Sequence, residues 1–189
     1  MTKAELRIAY KEKRSALLPS ERSKMDDLIL IQFQQLSLPP IRVLMSFIPI
    51  DHQAEPNTEL LSRYLQHIVP GLQIAYPVSN FRTFSMEAQI VGEDTMFRTD
   101  ERGLTEPEDG LLIEPGYIDL IFVPHLICDT RGFRVGYGKG FYDRFLSRCR
   151  RDAISIGFSY FHPVDNIEDT DQFDVPLDYC ITPSQTYEF

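Results

Sequence analysis

Apolar residues recur along this chain in two alternating rhythms, and the order of those rhythms predicts most of its elements. Between Lys3 and Leu17, the residues Leu6, Tyr10 and Leu17 share one helical stripe, with Arg7 and Arg14 beside it, and Pro19-Ser20 interrupts the pattern. A second helix is expected over about 21–36, ended by Pro39-Pro40. The short apolar run Val43 to Ile48 reads as a strand. Thr58 is expected to cap a helix running to Ile68, with Leu60, Leu61, Tyr64, Leu65 and Ile68 on its apolar face.

Strands are then expected at Gln73 to Tyr76, Phe84 to Ile90 and Asp119 to Val123. The last should be buried on both faces, because Leu120-Ile121-Phe122-Val123 offers no polar side to water. A helix after Gly140 and strands at Ser155 to Phe158 and Tyr179 to Thr182 complete the series. Alternation of this kind points to an α/β fold, a sheet covered by helices on both faces. Residues 92–116, rich in Asp, Glu, Pro and Gly, break the rhythm and read as a long surface connection or an active-site cover. With 189 residues, 43% of them hydrophobic, the chain can bury a sizeable core and is most simply one domain, 1–189.

The segment RGFRVGYGKGFYDRFL, from Arg131 to Leu146, carries the clearest chemistry. Gly136, Gly138 and Gly140 alternate with larger residues, so the backbone can turn tightly and set several N–H groups against an anion without Cβ obstruction. Lys139 adds a mobile charge. Phe141, Phe145 and Leu146 follow at helical spacing, which predicts a helix whose positive end faces the same anion. Asp143 would lie in its first turn, where a carboxylate beside phosphates can hold Mg²⁺, an ion that takes few protein ligands and keeps several waters. The loop is neither GxxxxGK[ST] nor GxGxxG, so spacing alone leaves a solvated glycine turn as the alternative.

Charge distribution favours the phosphate reading. The chain carries 19 Lys and Arg against 28 Asp and Glu, for a net charge of −9, which is adverse to nucleic acid and to an anionic membrane. Basic residues nevertheless cluster in two islands. One holds Lys3, Arg7, Lys11, Lys13, Arg14, Arg22 and Lys24; the other holds Arg131, Arg134, Lys139, Arg144, Arg148, Arg150 and Arg151. An acidic protein with two basic islands suits a polyanionic small molecule better than a duplex. Cys128, Cys149 and Cys180 form no C-x-x-C pair, which argues for a reduced cytoplasmic setting without structural zinc. No run of about eighteen apolar residues and no N-terminal apolar leader segment is visible, so a soluble protein is expected.

The run DLIFVPHLICDTRGFRVGYGKGFYDRFL, Asp119 to Leu146, closely resembles the signature of the 5-formyltetrahydrofolate cyclo-ligase family. Further matches follow the family's order: K-x-x-x-R at Lys3 and Arg7, E-x-x-T at Glu55 and Thr58, G-L-x-E-P from Gly103 to Pro107, and D-x-x-L-D at Asp174, Leu177 and Asp178. The resemblance implies a three-layer α/β/α sandwich with a mostly parallel or mixed sheet. It also implies an ATP- and Mg²⁺-dependent enzyme that turns 5-formyltetrahydrofolate into 5,10-methenyltetrahydrofolate, a monomer or small homo-oligomer with small-molecule partners only. Lys3 and Arg7 then correspond to ATP contacts, and Arg134, Gly136, Tyr137, Gly138, Lys139, Gly140, Phe141 and Tyr142 to the phosphate loop. Lys139 and Arg134 are the expected catalytic cations, and Asp143 and Asp174 the metal-associated carboxylates. Glu55, Tyr137 and Phe141 correspond to folate contacts, with Ile50 or its neighbour Ile48 as the apolar one. The family often has a glutamine and a histidine where this chain has Tyr160-Phe161-His162 and Gln172-Phe173.

Overall fold

The computed structural model describes residues 1–189. Two N-terminal helices, α1 (Lys3–Ser15) and α2 (Pro19–Gln34), lead into β1 (Val43–Met45), α3 (Thr58–Ile68), β2 (Gln73–Asn80) and β3 (Ser85–Ile90). A hairpin of β4 (Phe97–Thr99) and β5 (Thr105–Pro107), an edge strand β6 (Leu111–Ile113) and β7 (Leu120–Phe122) follow. The chain ends with the small hairpin β8 (Ile127–Cys128) and β9 (Arg134–Val135), α4 (Phe141–Leu146), β10 (Ile154–Phe158), β11 (Tyr179–Ile181) and β12 (Thr186–Glu188).

The central sheet has eight strands in the order β12-β11-β10-β7-β1-β2-β3-β6. From β11 to β2 the strands run parallel, and β12, β3 and β6 add antiparallel edges, so the sheet is mixed. Side chains of β1 and β7 alternate between two cores, as strand geometry requires. Leu44, Leu120, Phe122, Ile156 and Phe158 meet Ile29 and Phe33 of α2 and Leu61 and Leu65 of α3 on one face. Phe33 packs edge-on against Phe122 and Phe158, with ring centroids at 5.8 and 5.9 Å. Val43, Met45, Ile121 and Val123 point to the opposite face, against Phe145 and Leu146 of α4. A third, smaller core fixes α1: Leu6 and Tyr10 pack on Leu126, Ile127 and Val135 of the β8–β9 hairpin.

Differences from the sequence reading have local physical causes. Pro19 does not separate the first two helices but begins α2, where its missing N–H costs nothing and its fixed φ suits the first helical position. Asn57, not Thr58, caps α3: its side-chain oxygen accepts from the Leu60 N–H at 3.2 Å, while the Thr58 hydroxyl donates to the Phe47 carbonyl at 2.6 Å. β2 runs on through Pro77 to Asn80, because β1 pairs only with its first residues, which leaves the proline's flank free of any ladder bond to interrupt. Residues 92–116 are not an irregular connection. They fold into the β4–β5 hairpin and the β6 edge, strands too short for periodicity to reveal.

His125, Cys128 and Cys180 are buried together beneath the sheet's carboxyl edge, each 2% exposed or less. The His125 Nδ1 faces the Val123 carbonyl at 3.3 Å, and Gly157 of β10 makes room for the ring. A Cβ on Gly157 would lie 2.4 Å from His125 Cε1 and 2.7 Å from Leu177 Cδ1. Gly157→Ala is therefore expected to destabilise the protein by about 1–3 kcal/mol through overpacking, read as a lower urea midpoint with unchanged slope. A midpoint equal to wild type would show that His125 can swing aside.

Candidate active site

β1 connects through α3 to β2 on one side, while β7, β10 and β11 build outward on the other, so strand order reverses between β1 and β7. Open α/β sheets leave a ligand crevice at the carboxyl ends of strands flanking such a point. Here the crevice is a cleft of about 690 Å³. Its walls are the segment after β1, the end of β2, the loop before β3, the tip of the β4–β5 hairpin and the loop from β9 to α4. Every residue singled out in the sequence lines it: Lys3, Arg7, Ile50, Glu55, Arg134, the run from Gly136 to Asp143, and Asp174. Ile48 lines it as well, so both apolar candidates face the same space.

One end offers a set of donors that could receive an anion. None of the backbone N–H groups from Gly136 to Gly140 donates within the protein, which leaves a string of five donors for ligand or water. Gly138 and Gly140 hold φ of +87° and +65°, left-handed values that larger residues rarely adopt. α1 lies across this loop: Arg7 Nε donates to the Gly136 carbonyl at 2.9 Å. Arg144 staples it from the other side, donating to the Lys139 carbonyl at 2.6 Å and to the Phe84 carbonyl at 2.7 Å. The Lys139 side chain is exposed, with its ammonium 5.8 Å from the centre of the Phe84 ring. α4 has only six residues, so the loop amides, not a long helix dipole, supply the positive field expected there.

Two carboxylates stand beside the loop in unequal states. Asp143 Oδ1 accepts from Arg134 Nη2 at 2.8 Å and from the Val175 N–H at 3.2 Å, while its Oδ2 has no protein partner. Asp174 is occupied on both oxygens, by the Lys3 ammonium at 2.6 Å from Oδ1 and by the Asp171 N–H at 2.7 Å from Oδ2. Oxygen donors of this kind suit Mg²⁺ together with phosphate oxygens, and the free Oδ2 makes Asp143 the more available ligand. Arg134 is buried and also donates to the Val175 carbonyl. Burial lowers its pKa, and the charges of Asp143 and Asp174 oppose that shift.

The other end is aromatic and apolar around a single acid. Phe81 and Phe84, from the loop before β3, pack on Phe141 with ring centroids at 5.1 and 6.3 Å. The Arg102 guanidinium lies 4.3 Å from the centre of the Phe81 ring. Glu55 is buried, and its carboxylate accepts from the Tyr137 hydroxyl at 2.5 Å and the Ile50 N–H at 2.7 Å. Desolvation raises the pKa of Glu55, against those two bonds and the charge of Arg14. The Tyr142 hydroxyl is buried at the cleft without a protein partner, a donor left for a ligand or water.

Leu104, from the G-L-x-E-P match, lines the cleft, and so do Phe47, Phe81, Phe84, Met86 and Arg102, which were not singled out in the sequence. Two phenylalanines in the polar turn N-F-R-T-F were the one available signal for this wall. Tyr160, at a departure from the usual family residues, supports the acid from behind by donating to the Glu55 carbonyl at 3.4 Å and to Asp26 at 2.9 Å. His162 turns away to Tyr187, and Phe173 is exposed.

The model of the 5-formyltetrahydrofolate cyclo-ligase family matches residues 1–183. The chain belongs to that family. It is 26% identical to a 5-formyltetrahydrofolate cyclo-ligase of Mycoplasma pneumoniae, over 96% of this chain and 98% of the relative. An NMR structure of a 5,10-methenyltetrahydrofolate synthetase from Aquifex aeolicus superposes with a TM-score of 0.77 at 26% identity, covering 100% of this chain and 93% of that one. A structure of the Mycoplasma pneumoniae 5,10-methenyltetrahydrofolate synthetase gives 0.75 at 25% identity, covering 97% and 99%. The family fold is thus the fold observed here, a large mixed sheet flanked by helices. No helix is long and apolar enough to cross a membrane.

Proposed function

We propose that this protein converts 5-formyltetrahydrofolate into 5,10-methenyltetrahydrofolate, consuming ATP and releasing ADP and phosphate. The observation that carries the reading is a single cleft with a glycine loop of unpaired N–H groups at one end and an aromatic wall around a buried acid at the other. Family membership supplies the reaction class.

The chemistry requires that a formyl oxygen be made into a leaving group. Its attack on the γ-phosphorus expels ADP; the 10-nitrogen then attacks the formyl carbon, gives up its proton, and phosphate departs with the formyl oxygen. No protein nucleophile is needed, so the residues act by positioning and charge stabilisation. The loop amides and Lys139 hold the γ-phosphoryl oxygens, and Arg7 tethers α1 over them. Lys3 exchanges Asp174 for nucleotide phosphate. Arg134 holds Asp143 in place from below and contributes its charge to the phosphate end. Glu55 accepts from the pterin N–H groups, Tyr137 and Phe141 pack on the ring system, and Ile48 and Ile50 close the apolar side. Asp143, with Asp174 once Lys3 has left it, would hold Mg²⁺, which neutralises charge on the phosphates.

The test is absorbance of the methenyl product from 5-formyltetrahydrofolate with purified protein, Mg²⁺ and ATP, against controls lacking either ATP or Mg²⁺. Product in the complete mixture alone is the expected result. Product without ATP, or none from folded protein that binds ATP, would overturn the proposal.

A further inference from the structure

α1 presents more to the cleft than Lys3 and Arg7. Lys11 and Arg14 follow at helical spacing on the same side, so one stripe of basic residues crosses the loop from Asp174 to Tyr137. Lys11 places its ammonium 5.5 Å from the centre of the Tyr137 ring. Arg14 goes deeper. It is 2% exposed, an extreme burial for a charged side chain, and no carboxylate is in ion-pair contact with it. Its partners are the His125 carbonyl, bonded by Nη2, and the Tyr137 hydroxyl, 3.5 Å from Nη1.

A guanidinium buried at this depth needs compensation, and the nearest anion along its bonds is Glu55, reached through the Tyr137 hydroxyl. The hydroxyl donates to Glu55 and receives from Arg14, so the guanidinium fixes which way the phenol proton points. We infer that Arg14 is a positioning residue for the folate end of the cleft, orienting the Tyr137 hydroxyl onto the Glu55 carboxylate from behind. The inference rests on the cyclo-ligase reading of the cleft. It gives α1 two separable tasks: Lys3 and Arg7 serve the loop backbone and its phosphates, and Arg14 serves the acid reached through the Tyr137 side chain.

The separation supplies the test. Loss of Arg14 through mere loosening of α1 would impair both substrates, because the same helix carries the nucleotide contacts. Loss of a positioning contact should act on folate alone. In Arg14→Met, KM for 5-formyltetrahydrofolate should rise on the order of tenfold, equivalent to about 1.4 kcal/mol, while KM for ATP stays within about twofold. Arg14→Lys, which keeps the charge with a shorter reach, should recover part of the loss.

The pH profile adds a readout that helix loosening would not move. Glu55 must be ionised to accept from the pterin, and it is faced by Tyr137 and Ile50 at its oxygens, Arg14 from α1, His125 after β7, Tyr142 of α4, and Tyr160 with Asp26 behind its carbonyl. Of these, Arg14 is the cation whose removal makes the carboxylate harder to form, so the acidic limb of kcat/KM for folate should move to higher pH in Arg14→Met. In a Glu55→Gln background, Arg14→Met should add little, since the residue it acts through is already gone. Equal increases in both KM values, an unmoved acidic limb, or full additivity with Glu55→Gln would each overturn the inference. Wild type is assayed in the same series: inactive wild type overturns the cyclo-ligase reading and the inference together, whereas active wild type with non-selective variants overturns the inference alone.

Discussion

Lys139→Ala is expected to lower kcat by about two to three orders of magnitude, the usual effect of removing one preorganised donor from developing charge. The argument begins with what Lys139 does not do in the resting protein. Its ammonium makes no ion pair and no hydrogen bond, its side chain is exposed, and the ammonium lies 5.8 Å from the centre of the Phe84 ring. The loop conformation depends instead on its main chain: the Lys139 carbonyl held by Arg144, and left-handed Gly138 and Gly140 on either side. Truncation should therefore leave fold and thermal midpoint unchanged within experimental error. A charge that contributes nothing to folding but sits in a loop of unpaired amides is free to follow the γ-phosphoryl group as charge builds on it. KM for folate should change less than kcat, because Glu55 keeps its bonds to Tyr137 and Ile50, although the ammonium lies beside Phe84 of the aromatic wall. Activity within threefold of wild type would remove Lys139 from the catalytic set.

What the sequence made legible depended on whether the signal was local. The two-sided burial of β7 was readable because Leu120-Ile121-Phe122-Val123 fills both faces by itself, and α3 because its apolar stripe is unbroken over Thr58–Ile68. The glycine loop announced itself for the same reason, since its backbone demands are written in consecutive residues. Strands β4, β5 and β6 hid because three residues are too few to show a period and their partners lie far away or across a turn. The contacts that organise the cleft are longer in range still. Tyr137 meets Glu55 across 82 residues and Lys3 meets Asp174 across 171, and only the folded sheet brings such pairs together. Arg14 is the clearest case. In the sequence it was one more residue in a basic island, a setting that usually means a solvated helix face, and only the third small core under α1 turns that face inward.

Asp143→Asn should produce two losses that have different causes and can be measured apart. The first concerns the resting protein. Arg134 has a side chain only 5% exposed and depends on Asp143 for its direct ion pair, since Asp174 is already taken by Lys3. An uncompensated buried charge typically costs 3–5 kcal/mol, but Asp143 itself is 28% exposed and the amide keeps an acceptor for Val175, so about 1–3 kcal/mol is expected here. This loss should appear as a lower thermal midpoint with no ligand present. The second concerns the one carboxylate oxygen beside the loop that the protein leaves unbonded. With the negative charge gone, the Mg²⁺ concentration giving half-maximal turnover should rise on the order of tenfold, and high Mg²⁺ should restore part of kcat. Arg134→Met separates the two effects from the other direction: it relieves the buried charge but keeps the Asp143 carboxylate, so its Mg²⁺ requirement should change much less than that of Asp143→Asn. A destabilised Asp143→Asn with an unchanged Mg²⁺ titration would leave Asp143 as the counterion of Arg134 and nothing more. A shifted titration at near-normal stability would make it a metal ligand whose pairing with Arg134 serves mainly to aim its free oxygen at the cleft.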